Sequence, residues 1–266
     1  MEEINSNRDA WGKLSQDHYA AFRKKLSQGG YDLNEYIRRE LGDIRGKKLI
    51  HLQCNTGADS IRLAQMGASV TGVDLVPDNI LYAKRLADDL GITGIRFIES
   101  DIMKLSQVHR EKYDIVFTSE GVLGWLPDLG VWAKTIRALL NDNGFLYVFD
   151  SHPFFLAFDE GKLHREVYEI KYPYFGKEPD VSDSIGGYAS EPKNGVKAYF
   201  WMHTVSEIVN ALISAGLHIE YFNEYPENFF DSGDMTAEPN RGLYSYQYNK
   251  DKYPMSFSLK ATVYLK

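Results

Sequence analysis

Between residues 47 and 150 the chain passes repeatedly from a short apolar run to a stretch of helical period, and this alternation most narrows its fold. Strands joined through helices build a parallel sheet, because a crossover connection must carry the chain back to the same end. Lys48–Gln53 (KLIHLQ) reads as the first strand, and Asp59–Met66 as a helix carrying Ile61, Leu63 and Ala64, ended by Gly67. Ser69–Asp74 is a second short strand. Pro77 suits the first turn of a helix, in which Ile80, Ala83, Ala87 and Leu90 keep the 3.6-residue period until Gly91. Ile95–Glu99 and Tyr113–Thr118 are the next strands. A helix from about Asp128 to Leu140 buries Leu129, Trp132, Ile136 and Leu139, and Asn143-Gly144 turns into a fifth strand, Phe145–Asp150. The expected class is doubly wound α/β.

The rhythm breaks after Asp150. Residues 151–203 hold many aromatics, Gly and Pro without a core period, which predicts an inserted cap. Thr204-Val-Ser-Glu207 has the pattern of a capping box ahead of Ile208, Val209, Leu212 and Ile213, and Gly216 closes that helix. Leu217, Ile219 and Tyr221 alternate as a sixth strand. Phe257, Leu259, Ala261, Val263 and Leu265 alternate as a last strand with one buried face. Between these two, residues 226–255 are too long for a tight hairpin and predict an inserted loop. The division is 1–46 as an N-terminal helical segment, 47–150 as the core, 151–203 as the cap and 204–266 as the rest of the core, all one domain.

Bulk properties exclude several classes of function. A net charge of −7 argues against a phosphate backbone as the main partner, and clusters such as Arg38-Arg39 and Lys47-Lys48 are too small to reverse it. No apolar run approaches the ~20 residues that span a bilayer. Met1-Glu2-Glu3-Ile4 lacks the features of a signal peptide. Together with the single cysteine, Cys54, this predicts a cytoplasmic location.

Chemistry concentrates in Leu49–Gly57 (LIHLQCNTG), a strand entering a tight turn and then a helix. Asp74 stands 17 residues after Gly57, at the end of the next strand. In doubly wound sheets ligands bind beyond the carboxyl ends of the strands, and an acid ending the second strand is placed to accept hydrogen bonds from a ribose. That geometry suits any nucleoside-containing cofactor.

The chain resembles the class I S-adenosylmethionine-dependent methyltransferases, and more narrowly a branch with a Gln-Cys-Asn/His-x-Gly turn. The resemblance covers nearly the whole chain: Trp11 and Tyr19, HLQCNTGADSIRLA, VTGVD, ESDI, YDIVFTSEGVLGWLPD, SHPF, HTVSEIVNALISAGL and PMSFSLKA. It implies a seven-stranded Rossmann-like sheet whose last strand is antiparallel, with 151–203 and 226–255 covering the carboxyl edge. Residues 1–46 become a lid containing Trp11 and Tyr19, and 47–150 the cofactor-binding core. The family's turn places Gly at 53, 55 and 57, where this chain has Gln53, Asn55 and Gly57; its usual acid at position 51 is His51. By the same resemblance these four line the cofactor, Gln53 and Gly57 through their backbones. Asp74 would hold the ribose hydroxyls and Leu75 would pack on the adenine. Asp101 and Ile102 would meet the adenine amine, and Ser119, Glu120 and Gly121 would lie near the sulfonium and the acceptor. S-adenosylhomocysteine is the product, and no metal is implied.

Alternatives remain open on the residues alone. Asp74 or Asp101 could cap a helix, and Glu120 could be a turn carboxylate or act directly in catalysis. His152, after the fifth strand, could serve as a general base or bond a loop carbonyl. Cys54 reads as a small buried hydrophobe, and His203 as structural. The aromatic segments, such as Phe154-Phe155, Tyr172–Phe175, Tyr199–Trp201 and Tyr244–Tyr246, could core a cap, line a pocket for a small acceptor or form a contact in a homodimer. A nicotinamide-dependent oxidoreductase fits less well, since G-x-G-x-x-G aligned at 53, 55 and 58 would find Gln53, Asn55 and Ala58. The third reading is a binding module without catalysis.

Overall fold

The computed structural model describes residues 2–187, 189–249 and 252–263. Its centre is a seven-stranded sheet in the order β3-β2-β1-β4-β5-β11-β8. The members are β1 (Lys48–Leu52), β2 (Ser69–Asp74), β3 (Ile95–Glu99), β4 (Tyr113–Ser119), β5 (Leu140–Ser151), β8 (Leu217–Tyr225) and β11 (Ser256–Val263). Only β11 runs antiparallel to its neighbours, β5 and β8. Phe257, Leu259, Ala261 and Val263 of the last strand are buried as expected, but Ser256 and Ser258 on its other face are buried too, so one-sided burial begins only at Leu259; Leu265 lies outside the described residues.

Helices cover both faces of the sheet, so its central strands are apolar on both sides. Ile50, Leu52, Val73, Val116 and Val148 face one core with α6 (Ile102–Val108), α7 (Leu129–Leu139) and α10 (Val205–Ser214). Their strand neighbours Leu49, Val70, Ile115, Phe117 and Phe149 face the opposite core with α3 (Glu35–Leu41). A third cluster joins α2 (Ser15–Ser27), α4 (Ala58–Gln65) and α5 (Pro77–Asp89). The capping box is formed: Thr204 Oγ1 accepts from Glu207 N at 3.1 Å, and Glu207 accepts from Thr204 N at 2.9 Å.

Several details depart from the sequence reading. Asn143-Gly144 is no turn, since β5 runs unbroken from Leu140. Gly144 is there for close approach: a Cβ would stand 2.8 Å from the Tyr113 carbonyl oxygen. Helix α6 was not expected, and Asp101 is its N-cap, accepting from Met103 N at 2.9 Å.

The appended segments are more ordered than their composition suggests. Residues 151–203 contain α8 (Pro153–Leu156), α9 (Glu160–Leu163) and a hairpin of β6 (Asp180–Gly187) with β7 (Ser190–Phe200). Helix α1 (Glu2–Gly12) lies along β7, held by Asn7, whose side chain donates to Tyr199 O at 2.8 Å and accepts from Tyr199 N at 2.7 Å. Residues 226–255 contain a second small hairpin, β9 (Thr236–Glu238) with β10 (Leu243–Ser245).

Candidate active site

Strand order reverses between β1 and β4, and the ends of the parallel strands open there into a crevice. Two cavities occupy it. The smaller, about 140 Å³, is bounded by the segments following β1, β2, β3 and β4. Of the residues expected to form a site, Trp11, His51, Gln53, Asn55, Asp74, Leu75, Asp101, Ile102, Ser119, Glu120 and Gly121 all line it.

The turn after β1 owes its shape to left-handed backbone. Gln53 has φ 56° and Asn55 φ 49°, a region where side chains are uncommon and Asn is better tolerated than most residues. Glycines in the family pattern at these positions meet the same geometric demand without a Cβ. Local bonds hold the bend: Asn55 N donates to Asp74 Oδ2 at 2.8 Å, and Thr56 N to Asn55 Oδ1 at 2.6 Å. Gln53 Nε2 donates to Val122 O at 3.0 Å, tying the turn to the segment after β4. Gly57 is not on the cavity wall. It has φ 81°, and a Cβ there would stand 2.9 Å from the Phe97 ring and 3.0 Å from Ala83. Its amide already donates to Cys54 O at 2.9 Å, so packing and backbone shape account for it.

Asp74 is buried at 7% exposure and accepts from Asn55 N, Val76 N and Asn79 Nδ2. Burial raises its pKa against those donors. The carboxylate therefore shapes the turn as well as facing the cavity. His51 accepts or donates one bond, Nδ1 to Ser60 Oγ at 2.8 Å, and burial lowers its pKa to about 3, so the ring is neutral.

A second group of acids lies beyond β4. Glu120 (φ 63°) receives Asn34 Nδ2 on Oε1 at 3.0 Å. Burial and then the neighbouring Asp59 charge push its pKa well above the usual range, and burial raises that of Asp59 too. Like charges this close disfavour ionisation of both. Asp59 accepts from Tyr31 Oη and from Ser119 Oγ, the latter at 2.9 Å. Asp150, one residue before the end of β5, accepts from the amides of Gly121, Val122, Leu123 and Ser151 at 2.7–3.1 Å and fixes the loop after β4. Sequence reading missed Asp59 and Asp150. Asp59 looked like an ordinary first-turn acid, and the importance of Asp150 comes from a neighbouring strand's loop.

Two expected residues stand elsewhere. Tyr19 is turned onto α5, where its ring stacks on Tyr82 at 5.1 Å and its hydroxyl donates to Asp89 at 2.5 Å. His18 and Phe22, from the same helix, lie closer to the crevice: His18 bonds Asn55, and Phe22 lines the cavity. His152 lines neither cavity. It caps α8, accepting from Phe154 N at 3.1 Å, and its Nε2 lies 2.9 Å from Glu224 Oε1 on β8. Burial lowers its pKa despite that carboxylate. His203 bonds Leu126 O at 2.8 Å, a structural role. Cys54 is buried at 3% exposure, and burial raises its pKa, as expected of a small core residue.

The larger cavity, about 610 Å³, lies under the appended segments and is lined by residues including Trp125, Phe200, Trp201, Phe229 and Phe230. Four residues line both spaces: Trp11, Glu120, Gly121 and Trp125. Among the described residues no group of His, Cys, Asp or Glu is placed to hold a metal ion, and no helix is long and apolar enough to cross a membrane.

Residues 44–170 match the model of a methyltransferase domain family. That stretch, just under half of the chain, is similar to a methyltransferase domain. An uncharacterised protein of Haemophilus influenzae is 27% identical over 222 residues, covering 79% of this chain and 84% of that protein. A ubiquinone biosynthesis O-methyltransferase of Actinobacillus pleuropneumoniae is 30% identical over 116 residues, 42% of this chain, and the match spans about half (49%) of that enzyme. In fold, the chain is similar to an S-adenosylmethionine-dependent methyltransferase of Mesorhizobium loti, with a TM-score of 0.57 at 22% identity, covering 85% of this chain and 95% of that one. The matched stretch supplies the strand ends that border the smaller cavity. Two buried polar atoms on that cavity's wall, Gln53 Oε1 and Thr56 Oγ1, have no partner among the described residues, which suits a ligand with hydrogen-bond donors.

Proposed function

We propose that the smaller cavity holds S-adenosylmethionine and that the larger receives a small acceptor for its methyl group. The shared wall carries this reading, because Trp11, Glu120, Gly121 and Trp125 bring the two spaces together just beyond β4. Asp74 would accept from the ribose hydroxyls, Leu75 would cover the adenine, and Asp101 with Ile102 would lie toward its amine. Ser119, Glu120 and Gly121 would lie toward the sulfonium, and Trp11 would close the space from above.

The donor supplies a methyl group already activated by the sulfonium. What remains for the protein is alignment and exclusion of water. Asp150 contributes by pinning three successive amides, those of Gly121, Val122 and Leu123, so the wall between the spaces has one shape. Ring faces from 151–203 and 226–255 cover the acceptor side. The single buried thiol fits a reducing cytoplasm. Val167, Tyr168, Ile170 and Phe175 are exposed in one stretch of chain, a surface that a second copy would cover in a homodimer, and sedimentation would read that state.

Calorimetric titration tests the central reading. S-adenosylmethionine and S-adenosylhomocysteine should each bind at one site per chain; heat from neither removes the proposal.

A further inference from the structure

The larger cavity has a charge character that methyl donation does not require. Its lining includes five carboxylates, Glu120, Asp150, Glu160, Asp180 and Asp231, and among the described residues no lysine or arginine. Two of these acids are engaged by backbone: Asp150 with the loop after β4, and Asp231 with the amides of Gly233 and Met235 at 2.9 and 3.0 Å. The others are less satisfied. Glu120 has one hydrogen bond, from Asn34, and Glu160 accepts none from the described residues. Lys171, whose field reaches Glu160, stands 3.7 Å from Asp159 Oδ1 and is not part of the lining.

Glu120 and Glu160 are half-buried, and carboxylates partly withdrawn from water without a cationic partner are stabilised by a bound cation. The same cavity presents the rings of Trp11, Trp125, Phe200, Trp201 and Phe229. Aromatic faces attract cations through their quadrupole, most strongly where water is excluded. An acceptor carrying a carboxylate or phosphate would instead meet like charge on several sides.

On the two-cavity reading above, we infer that the acceptor is an organic amine, taken up as its ammonium form among these rings and the Glu120 and Glu160 carboxylates, and methylated on nitrogen. The ammonium first passes one proton to the Glu120 carboxylate, leaving a neutral amine and a carboxylic acid. The nitrogen lone pair then forms the new N–C bond while the C–S bond breaks, its electrons remaining on sulfur. The products are a methylated ammonium and a neutral thioether, and Glu120 returns to the carboxylate by releasing its proton to water. The burial and the Asp59 charge that raise the affinity of Glu120 for a proton bring it toward this task.

Calorimetry with matched probes tests the inference. The protein is titrated with S-adenosylhomocysteine, and then, both with and without that nucleoside, with 2-phenylethylamine and with 2-phenylethanol, its neutral counterpart. The ammonium should bind at least tenfold more tightly than the alcohol. Glu160→Gln, at a residue outside the smaller cavity, should weaken the amine about tenfold and leave the nucleoside and the alcohol within twofold. Equal binding of amine and alcohol, no binding of the amine, or an indifferent Glu160→Gln each overturns the amine assignment. Absence of nucleoside binding overturns the donor site instead, and the amine-to-alcohol ratio on the free protein still reads the charge preference.

Discussion

The two walls of the crevice are made differently. Strand ends of the core form one wall, whose polar atoms are fixed by short-range bonds: Asp74 with Asn55, Val76 and Asn79, and Asp150 with the loop after β4. Segments remote in sequence form the other, which combines rings set by packing, such as Trp125 against Phe200 at 5.2 Å and Phe229 against Phe230 at 5.1 Å, with carboxylates such as Glu160 and Asp180. A wall of fixed hydrogen-bonding groups suits one invariant ligand. A wall of rings and carboxylates suits selection by shape and charge. On the function proposed above, the difference separates donor recognition, written into the core, from acceptor recognition, carried by the additions.

The sharpest way to break this division is Asp74→Ala. Loss of two charge-assisted bonds to a ribose should weaken S-adenosylhomocysteine about 100-fold in calorimetry; an unchanged affinity would show that the carboxylate serves only the turn. Next in size is Gly57→Ala, which places a methyl group against Phe97 and Ala83 in left-handed backbone. Denaturant unfolding should show a loss of about 2 kcal/mol.

A smaller effect is expected in the pH dependence of stability. The native state binds a proton on Glu120 more tightly than the unfolded chain, which releases it near 4.5, so the contribution to stability is full below that pH and is lost as pH rises through the raised native value, above which Glu120 is a carboxylate. Glu120→Gln keeps the neutral form at every pH. Its melting temperature should fall less between pH 4.5 and 7.5 than the parent's; parallel profiles would sink the assignment. Smallest of all is Tyr19→Phe. Because Tyr19 faces α5, S-adenosylhomocysteine affinity should stay within twofold, and a larger change would return this residue to the lid.

Legibility in the sequence followed the same boundary. Ser69–Asp74 and Ile95–Glu99 were readable to the residue because each short run follows a helix of unbroken period ended by a glycine, although in the second only Phe97 is fully buried. The capping box at Thr204 is a purely local signal, and it held. The β6–β7 hairpin was not readable, since most of β7 is exposed and only Val196 and Ala198 are buried, against Ala10 and Leu14 from the far end of the chain. Within the site, the turn residues and Asp74 were found because they stand at strand ends. Tyr31, Asn34 and Asp59 were not, because their meeting with Glu120 depends on how α2, α3 and α4 are stacked.

Glu120 and its three companions on the common wall have a thermodynamic consequence. Any displacement of these side chains when one hollow fills also reshapes the other. Linkage then requires that the factor by which the nucleoside alters affinity for the second ligand equal the factor in the reverse direction. The coupling between the two ligands is therefore a property of the three side chains Trp11, Glu120 and Trp125 beside Gly121, and a pair of titrations run in opposite sequence would measure it.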